Sequence, residues 1–232
     1  MSDLIHETDG GKHYGLGCNV PDSFPVAASA SDRLGKVYTL DEIRATLSGK
    51  KSLYNRREVI PAEFISNQQT TSACNGHATS GALGESIYVL TGEKNILSGA
   101  DSYSQMNGGR DQGSTLSDGM KVVTNGIALL SSVPWNMIYS NQIPAAAKAE
   151  RARFKGLEPF AADTEEEFAS GLVQGYIGVV AVHVAGNYDK MDSDGICLGG
   201  NGQGNHAVRV NDIRMLSDGT LVYDSPGSWG VT

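Results

Sequence analysis

The stretch Asn67-Gln-Gln-Thr-Thr-Ser-Ala-Cys74-Asn-Gly-His-Ala78 closes a polar turn and opens a helix. Cys74 falls at the junction, where unpaired backbone N–H groups and the positive end of the helix dipole favour a thiolate over a thiol. Gln68, six residues earlier, can be brought back by a turn so that its amide NH₂ donates to negative charge developing beside the sulfur. Downstream, Ala78, Ala82, Leu83, Ile87 and Leu90 keep a helical period until Gly92. A long, largely buried helix with a nucleophile candidate at its first residue is therefore the element around which the chain is expected to fold.

Composition limits what such a chain can do. The 232 residues suffice for one large domain or two lobes around a cleft, with 40% hydrophobic and 19% charged residues. A net charge of -8 disfavours nucleic acid or an anionic membrane as the main partner, since both reward Lys and Arg. The three cysteines, Cys18, Cys74 and Cys197, are odd in number and widely spaced, so no disulfide framework is expected. Residues 1–10 carry Asp3, Glu7 and Asp9 and no apolar run, unlike a signal peptide, and no segment reads as a membrane span. The expected location is cytoplasmic, or within a virus particle or secretion apparatus assembled there.

Residues 1–37 are Gly-, Ser-, Asp- and Pro-rich and read as an extended arm or surface loop; His13 and Cys18 within it lack the second pair that a metal site needs. Thr39 and Glu42 form a capping-box pattern ahead of Leu40, Ile43 and Leu47, with Gly49 as the stop. The basic cluster Lys50, Lys51, Arg56 and Arg57 reads as a solvated linker. An amino-terminal arm over residues 1–54 and a main domain over residues 55–232 follow.

Helices are expected over Ser98–Met106, Leu116–Thr124, Ala145–Phe154 and Thr164–Val173, with a glycine-rich loop at 107–113. β-branched runs at Ile177–Val184, Ala207–Val210 and Thr220–Tyr223 read as strands. Helices first and strands afterwards fit an α+β fold with a helical lobe and a sheet lobe. The segment Gly195–Gly204 precedes a strand and lacks a Gly-Lys-Ser ending, so it is read as a loop and not as a phosphate cradle.

A cysteine nucleophile needs a base. His206 is best placed, at a strand start directly after a loop; His77, at i+3 on the Cys74 helix, is its rival, while His183 reads as a core residue and His6 and His13 belong to the arm. Asp224, at the end of the next strand, could orient the imidazole across a β ladder.

Asn67-Gln68 with Ser72-Ala73-Cys74, then Asn205-His206-Ala207-Val208, then Asp224-Ser225-Pro226-Gly227-Ser228-Trp229-Gly230 together resemble the three signature blocks of papain-like cysteine peptidases, over roughly residues 60–232. The resemblance implies a divergent papain-like two-lobed fold without the usual disulfides. It assigns Gln68 to the oxyanion, Cys74 as nucleophile, His206 as base and Asp224, in the place of the family's Asn, as the group that orients the histidine. It also makes Gln112, Gly113 and Ser114 a glycine-rich cleft wall on which an extended polypeptide substrate would pair its backbone. This chain departs from the pattern at Thr71, where a half-cystine is common, at Asn75, where an aromatic residue is usual, and at Pro226, where a shielding Trp is usual.

The expected reaction is peptide-bond hydrolysis through a Cys74 thioester, with no cofactor and no metal. Two other readings share the fold: a catalytically weak structural or docking protein, for instance of a virus particle, and an amide-transfer or deamidating enzyme of transglutaminase-like type, which an Asp at the third position favours. Residues 1–54 would serve as a short pro-segment over the cleft or as a docking arm for a partner.

Overall fold

The computed structural model describes residues 5–7, 13–15, 18–19, 28–156, 158–184, 190–193, 195–197 and 205–228. An amino-terminal hairpin, β1 (Ile5–Glu7) with β2 (His13–Gly15), precedes the short helices α1 (Ala30–Arg33), α2 (Leu40–Leu47) and α3 (Arg56–Val59). The long helix α4 spans Cys74–Thr91 and is followed by α5 (Gly99–Ser104), α6 (Leu116–Asn125), α7 (Ala145–Glu150) and α8 (Glu165–Val173). Four strands complete the chain: β3 (Gly178–Val182), β4 (His206–Val210), β5 (Asp212–Met215) and β6 (Leu221–Asp224). β3 pairs antiparallel with β4, and β5 with β6. This is the α+β, two-lobed arrangement expected from the order of helical and β-branched segments.

The helix ends follow local chemistry. Thr39 and Glu42 bond reciprocally across the first turn of α2, and Thr115 and Asp118 do the same for α6. Gly92 ends α4 in the left-handed region, at φ 75°, where a side chain would be strained. Within α4, a Cβ on Gly76 would come within 2.6 Å of the Gly99 carbonyl oxygen, so this glycine is what allows α4 and α5 to touch.

The helical lobe packs Leu83, Leu97, Val122, Ile127 and Phe154 in one cluster and Ala73, Ala100, Tyr103 and Val133 in another. The sheet lobe buries Ile43, Leu47, Ala169, Leu172, Val210 and Ile213 together. Helix α2, which the sequence reading assigned to the amino-terminal arm, therefore stands inside the sheet lobe's core. Its capping and apolar spacing were legible, but the surface it covers lies more than a hundred residues downstream. Strand β5 was not expected, because Asp212 and Arg214 break the apolar run; their side chains are used in polar contacts instead.

One buried ionic group joins the lobes. Arg209 on β4 lies 2.7 Å from Glu85 on α4, whose other oxygen accepts from Asn211 at 2.9 Å, and Gly81 leaves room for the guanidinium against the helix. Arg56 adds side-chain bonds to the Asn211 and Gly175 carbonyls, both at 2.8 Å. No helix among the described residues is long and apolar enough to cross a membrane.

Candidate active site

The first turn of α4 and the first residues of β4 meet at the lobe boundary. Cys74, fully buried, is the first residue of α4, and its sulfur accepts from the Ala207 N–H at 3.4 Å. His206, also buried, is the adjacent residue and pairs in register with Val182 of β3. His206 thus opens β4 beside the residue whose N–H bonds to the Cys74 sulfur. His77, the rival, packs its ring on Gly99 of α5, toward the helical lobe. Burial, and secondarily the charge of Arg209, lower its pKa to about 4.

Gln68 is fully buried and is held at both ends of its amide. Its Nε2 donates to the Thr71 carbonyl at 2.9 Å, and its Oε1 accepts from the Ser228 hydroxyl at 2.6 Å. Its backbone N–H donates to the Ser228 carbonyl at 2.9 Å. The turn that carries it is tight: Gln69 has φ 54° and its N–H bonds to the Asn67 side chain.

Asp224 ends strand β6. It faces Asp212 in the β5–β6 ladder, six residues along the chain from His206, and its Oδ1 accepts from Arg214 Nε at 3.1 Å. Its pairing with Arg214 uses one oxygen of the carboxylate. The chain runs on from Asp224 past Ser225, whose hydroxyl bonds to the Arg209 carbonyl at 2.7 Å, before Ser228 reaches Gln68. The signal that could have located this was the Ser228-Trp229-Gly230 triplet, four residues downstream of the anchor chosen on Asp224; Trp229 and Gly230 lie outside the described residues.

The glycine-rich wall is built differently from expectation. Gly113 has φ 79°, a conformation that suits glycine, but its N–H already donates to the Tyr103 hydroxyl at 2.8 Å and so is not offered to a passing chain. The flanking carbonyls of Gln112 and Ser114 accept hydrogen bonds from Asn19. Tyr103 in turn donates to Asp111 at 2.9 Å, and the other contact of that carboxylate oxygen is the Ser72 N–H, also at 2.9 Å. Asn75, where the resemblance expected an aromatic residue, bonds to the Thr115 carbonyl at 2.6 Å and the Ser114 hydroxyl at 3.1 Å. Wall and nucleophile turn are thereby tied together by Asn75, Tyr103 and Asp111, of which the sequence reading placed only Asp111 in the wall.

The cleft is crossed by the amino-terminal segment. Cys18 donates its N–H to the Asn205 carbonyl at 3.1 Å, on the sheet side, and forms a parallel bridge with Ser114 on the helical side. Asn19 donates its N–H to the Ser114 carbonyl at 2.8 Å and its side chain to the Gln112 carbonyl at 3.1 Å. Cys18 is buried in one cluster with Cys74, Ala78 and Ala207. Burial, reinforced by the nearby Cys74, pushes the Cys18 thiol up to about 12, so it stays protonated and unreactive near neutral pH.

No family model matches the sequence, and no curated protein does. Solved structures do match in shape. Xylellain, a cysteine protease from Xylella fastidiosa, superposes with a TM-score of 0.62 at 18% identity, over 97% of this chain and 87% of that one. The procathepsin B S9 of Trypanosoma congolense gives 0.60 at 17%, over 92% and 75% respectively. The proform of the ragweed pollen protease Amb a 11 gives 0.57 at 16%; it covers 77% of this chain, which spans only 55% of that longer protein. At these identities the likeness is one of fold: the chain has the papain-like cysteine protease fold.

Proposed function

We propose that this protein is a cysteine peptidase that cleaves an extended polypeptide, with Cys74 as nucleophile, His206 as general base and acid, and Gln68 as an oxyanion donor. What supports the reading is that a cysteine opens helix α4, its sulfur bonds to the backbone of the residue after His206, and the buried Gln68, six residues before Cys74, is anchored by Ser228. In the proposed cycle the Cys74 thiolate attacks a peptide carbonyl. The oxyanion takes hydrogen bonds from the Gln68 amide and the Cys74 N–H, and the His206 imidazolium protonates the leaving amine. Water, deprotonated by His206, then hydrolyses the thioester.

The segment at Cys18–Asn19 occupies the carbonyls that a substrate would use, which supports a resting form in which the amino terminus covers the cleft. Two of the matched structures are proforms by name, in keeping with such a state. Helix α2 lies in the sheet lobe's core, so in this reading the covering part does not include the whole of residues 1–54.

An epoxide or vinyl-sulfone probe of papain-like enzymes, applied near neutral pH with Cys74→Ala as control, tests the reading. In the chain lacking residues 1–27, stoichiometric labelling of Cys74 ahead of Cys197 is expected; equal, slow labelling of the two would overturn it. One observation favours a second reading, a papain-fold docking protein without catalysis: Asp224 pairs with Arg214, so the third group expected of the family is not supplied from that position. In that case the probe would leave Cys74 unmodified even after the amino-terminal segment is removed.

A further inference from the structure

A cavity of about 210 Å³ lies beside the turn that carries Gln68, on the side of α4 that faces α5. Its walls are mostly apolar, with Phe64, Ile65 and Leu97 inside and Trp135, 46% exposed, at the mouth. Glu63, Asn67, Gln69 and Ser80 are also in the lining, and two further polar side chains there, His77 and Ser66, are left without partners among the described residues. The His77 ring is only 2% exposed, and neither of its nitrogens has a hydrogen-bond partner among the described residues; the buried Ser66 hydroxyl has none either.

The chemistry of the lining specifies a guest. A dry cavity of roughly 150 Å³ holds a benzene molecule, so this one accommodates a substituted ring. Unpartnered polar groups in an apolar wall reward a ligand that satisfies them and penalise one that does not. An imidazole held neutral offers one donor and one acceptor, which matches the combined donor and acceptor of a hydroxyl. Glu63, at the rim, is paired with Lys94 at 2.8 Å, so no free charge at this edge calls for an ionic ligand.

We propose that this cavity is a second binding site, separate from the Cys74 cleft, for an uncharged aromatic ring bearing one hydroxyl, taken up with its polar tip against His77 and Ser66. The chemistry is the same for a free phenol and for a tyrosine side chain of a bound peptide. Asn67 and Gln69 line the cavity on either side of Gln68, so an occupant would press on the turn that holds the oxyanion donor.

The test is a calorimetric titration of the full-length chain with p-cresol, toluene and N-acetyl-tyrosine amide. It makes no use of Cys74 reactivity, so failure here leaves the acyl-transfer reading standing. p-Cresol is expected to bind at least tenfold more tightly than toluene. His77→Phe, which keeps a ring in place, is expected to abolish that preference. Should that variant not fold, Ser66→Ala is expected to reduce the preference severalfold and Trp135→Ala to weaken both ligands. Binding of the tyrosine amide as well as p-cresol would identify a peptide side chain as the guest, and binding of p-cresol alone a free phenol. Equal affinity for p-cresol and toluene, no binding of either at millimolar concentration, or an unchanged preference in both the His77 and Ser66 variants would overturn the proposal.

Discussion

The backbone N–H of Ala207 points at the sulfur of Cys74 across 3.4 Å, so the start of β4 and the start of α4 are joined at the residue next to His206. Neither side chain has to reach far, because the backbone of one lobe already touches the nucleophile candidate of the other. The same junction is closed from outside by Cys18, which bonds to Asn205, the neighbour of His206.

That closure predicts a gain of reactivity when it is removed. Cys74 is fully buried beneath Cys18, so deleting residues 1–27 is expected to raise its rate of alkylation by an iodoacetamide reagent at pH 7.5 at least tenfold. In the intact chain Cys18 is expected to react more slowly than Cys197, its thiol being pushed up to about 12. Peptide mass spectrometry of samples quenched over time gives all three rates. An unchanged Cys74 rate after deletion would mean that the segment does not guard the cleft.

Asp224 pairs with Arg214, whereas Ser228 anchors Gln68. Asp224→Asn keeps the contacts of Gln68 and removes one ion pair that is about one-fifth exposed, so probe labelling is expected to stay within twofold of the parent, with about 1 kcal/mol of stability lost. Ser228→Ala removes the hydroxyl that bonds to the buried Gln68 Oε1 and leaves that oxygen short of a partner, at a cost of about 1–3 kcal/mol. Labelling of Cys74 should slow severalfold as the glutamine loosens. Paired labelling and urea-melt measurements on the two variants separate these effects; a tenfold slower Asp224→Asn would restore a catalytic part for that carboxylate.

The sequence is most readable where interactions are local: Cys74 at a helix start, the Gly92 stop, the capping pair at Thr39 and His206 at a strand start all depend on neighbours within a few residues, and each stands in the fold where its local pattern put it. The position of Asp224 depends instead on how many residues the β5–β6 hairpin uses before the chain returns to Gln68, a matter of register that no local pattern records. The same holds for α2: its amphipathic face was plain, but the residues it covers, Ala169, Leu172, Val210 and Ile213, are set by the tertiary fold. Asn75 was seen only as a departure from the expected aromatic residue, since its bonds to Ser114 and Thr115 span some forty positions.

The Glu85–Arg209 pair makes the lobes interdependent. Both side chains are almost wholly buried, and removing one partner strands the other charge in the interior. Glu85→Ala is therefore expected to cost about 3–5 kcal/mol. The double variant Glu85→Leu, Arg209→Met should recover part of that loss, since two apolar side chains need no partner. Chemical denaturation followed by circular dichroism checks both values; equal stability of Glu85→Ala and the parent would show that water already reaches the pair.

Acid sensitivity should be traceable to His77. Its imidazole, buried and close to Arg209, has its pKa lowered to about 4 against about 6.5 for an exposed histidine. Between those two values the unfolded chain binds a proton that the folded chain refuses, so stability from this group is full above pH 6.5 and falls as pH drops toward 4. The interval of some 2.5 units corresponds to a loss of about 3 kcal/mol at its acid end. Carboxylates held by cations, such as Glu42 by Lys36 and Glu63 by Lys94, have their pKa values lowered, and as exposed groups they add little in this window. Thermal melts from pH 7.5 to 4 are expected to show a steep fall in the parent and a flatter profile in His77→Gln, with the two curves converging at the acid end. If His77→Gln loses stability with the same slope, the proton taken up on unfolding belongs to another residue.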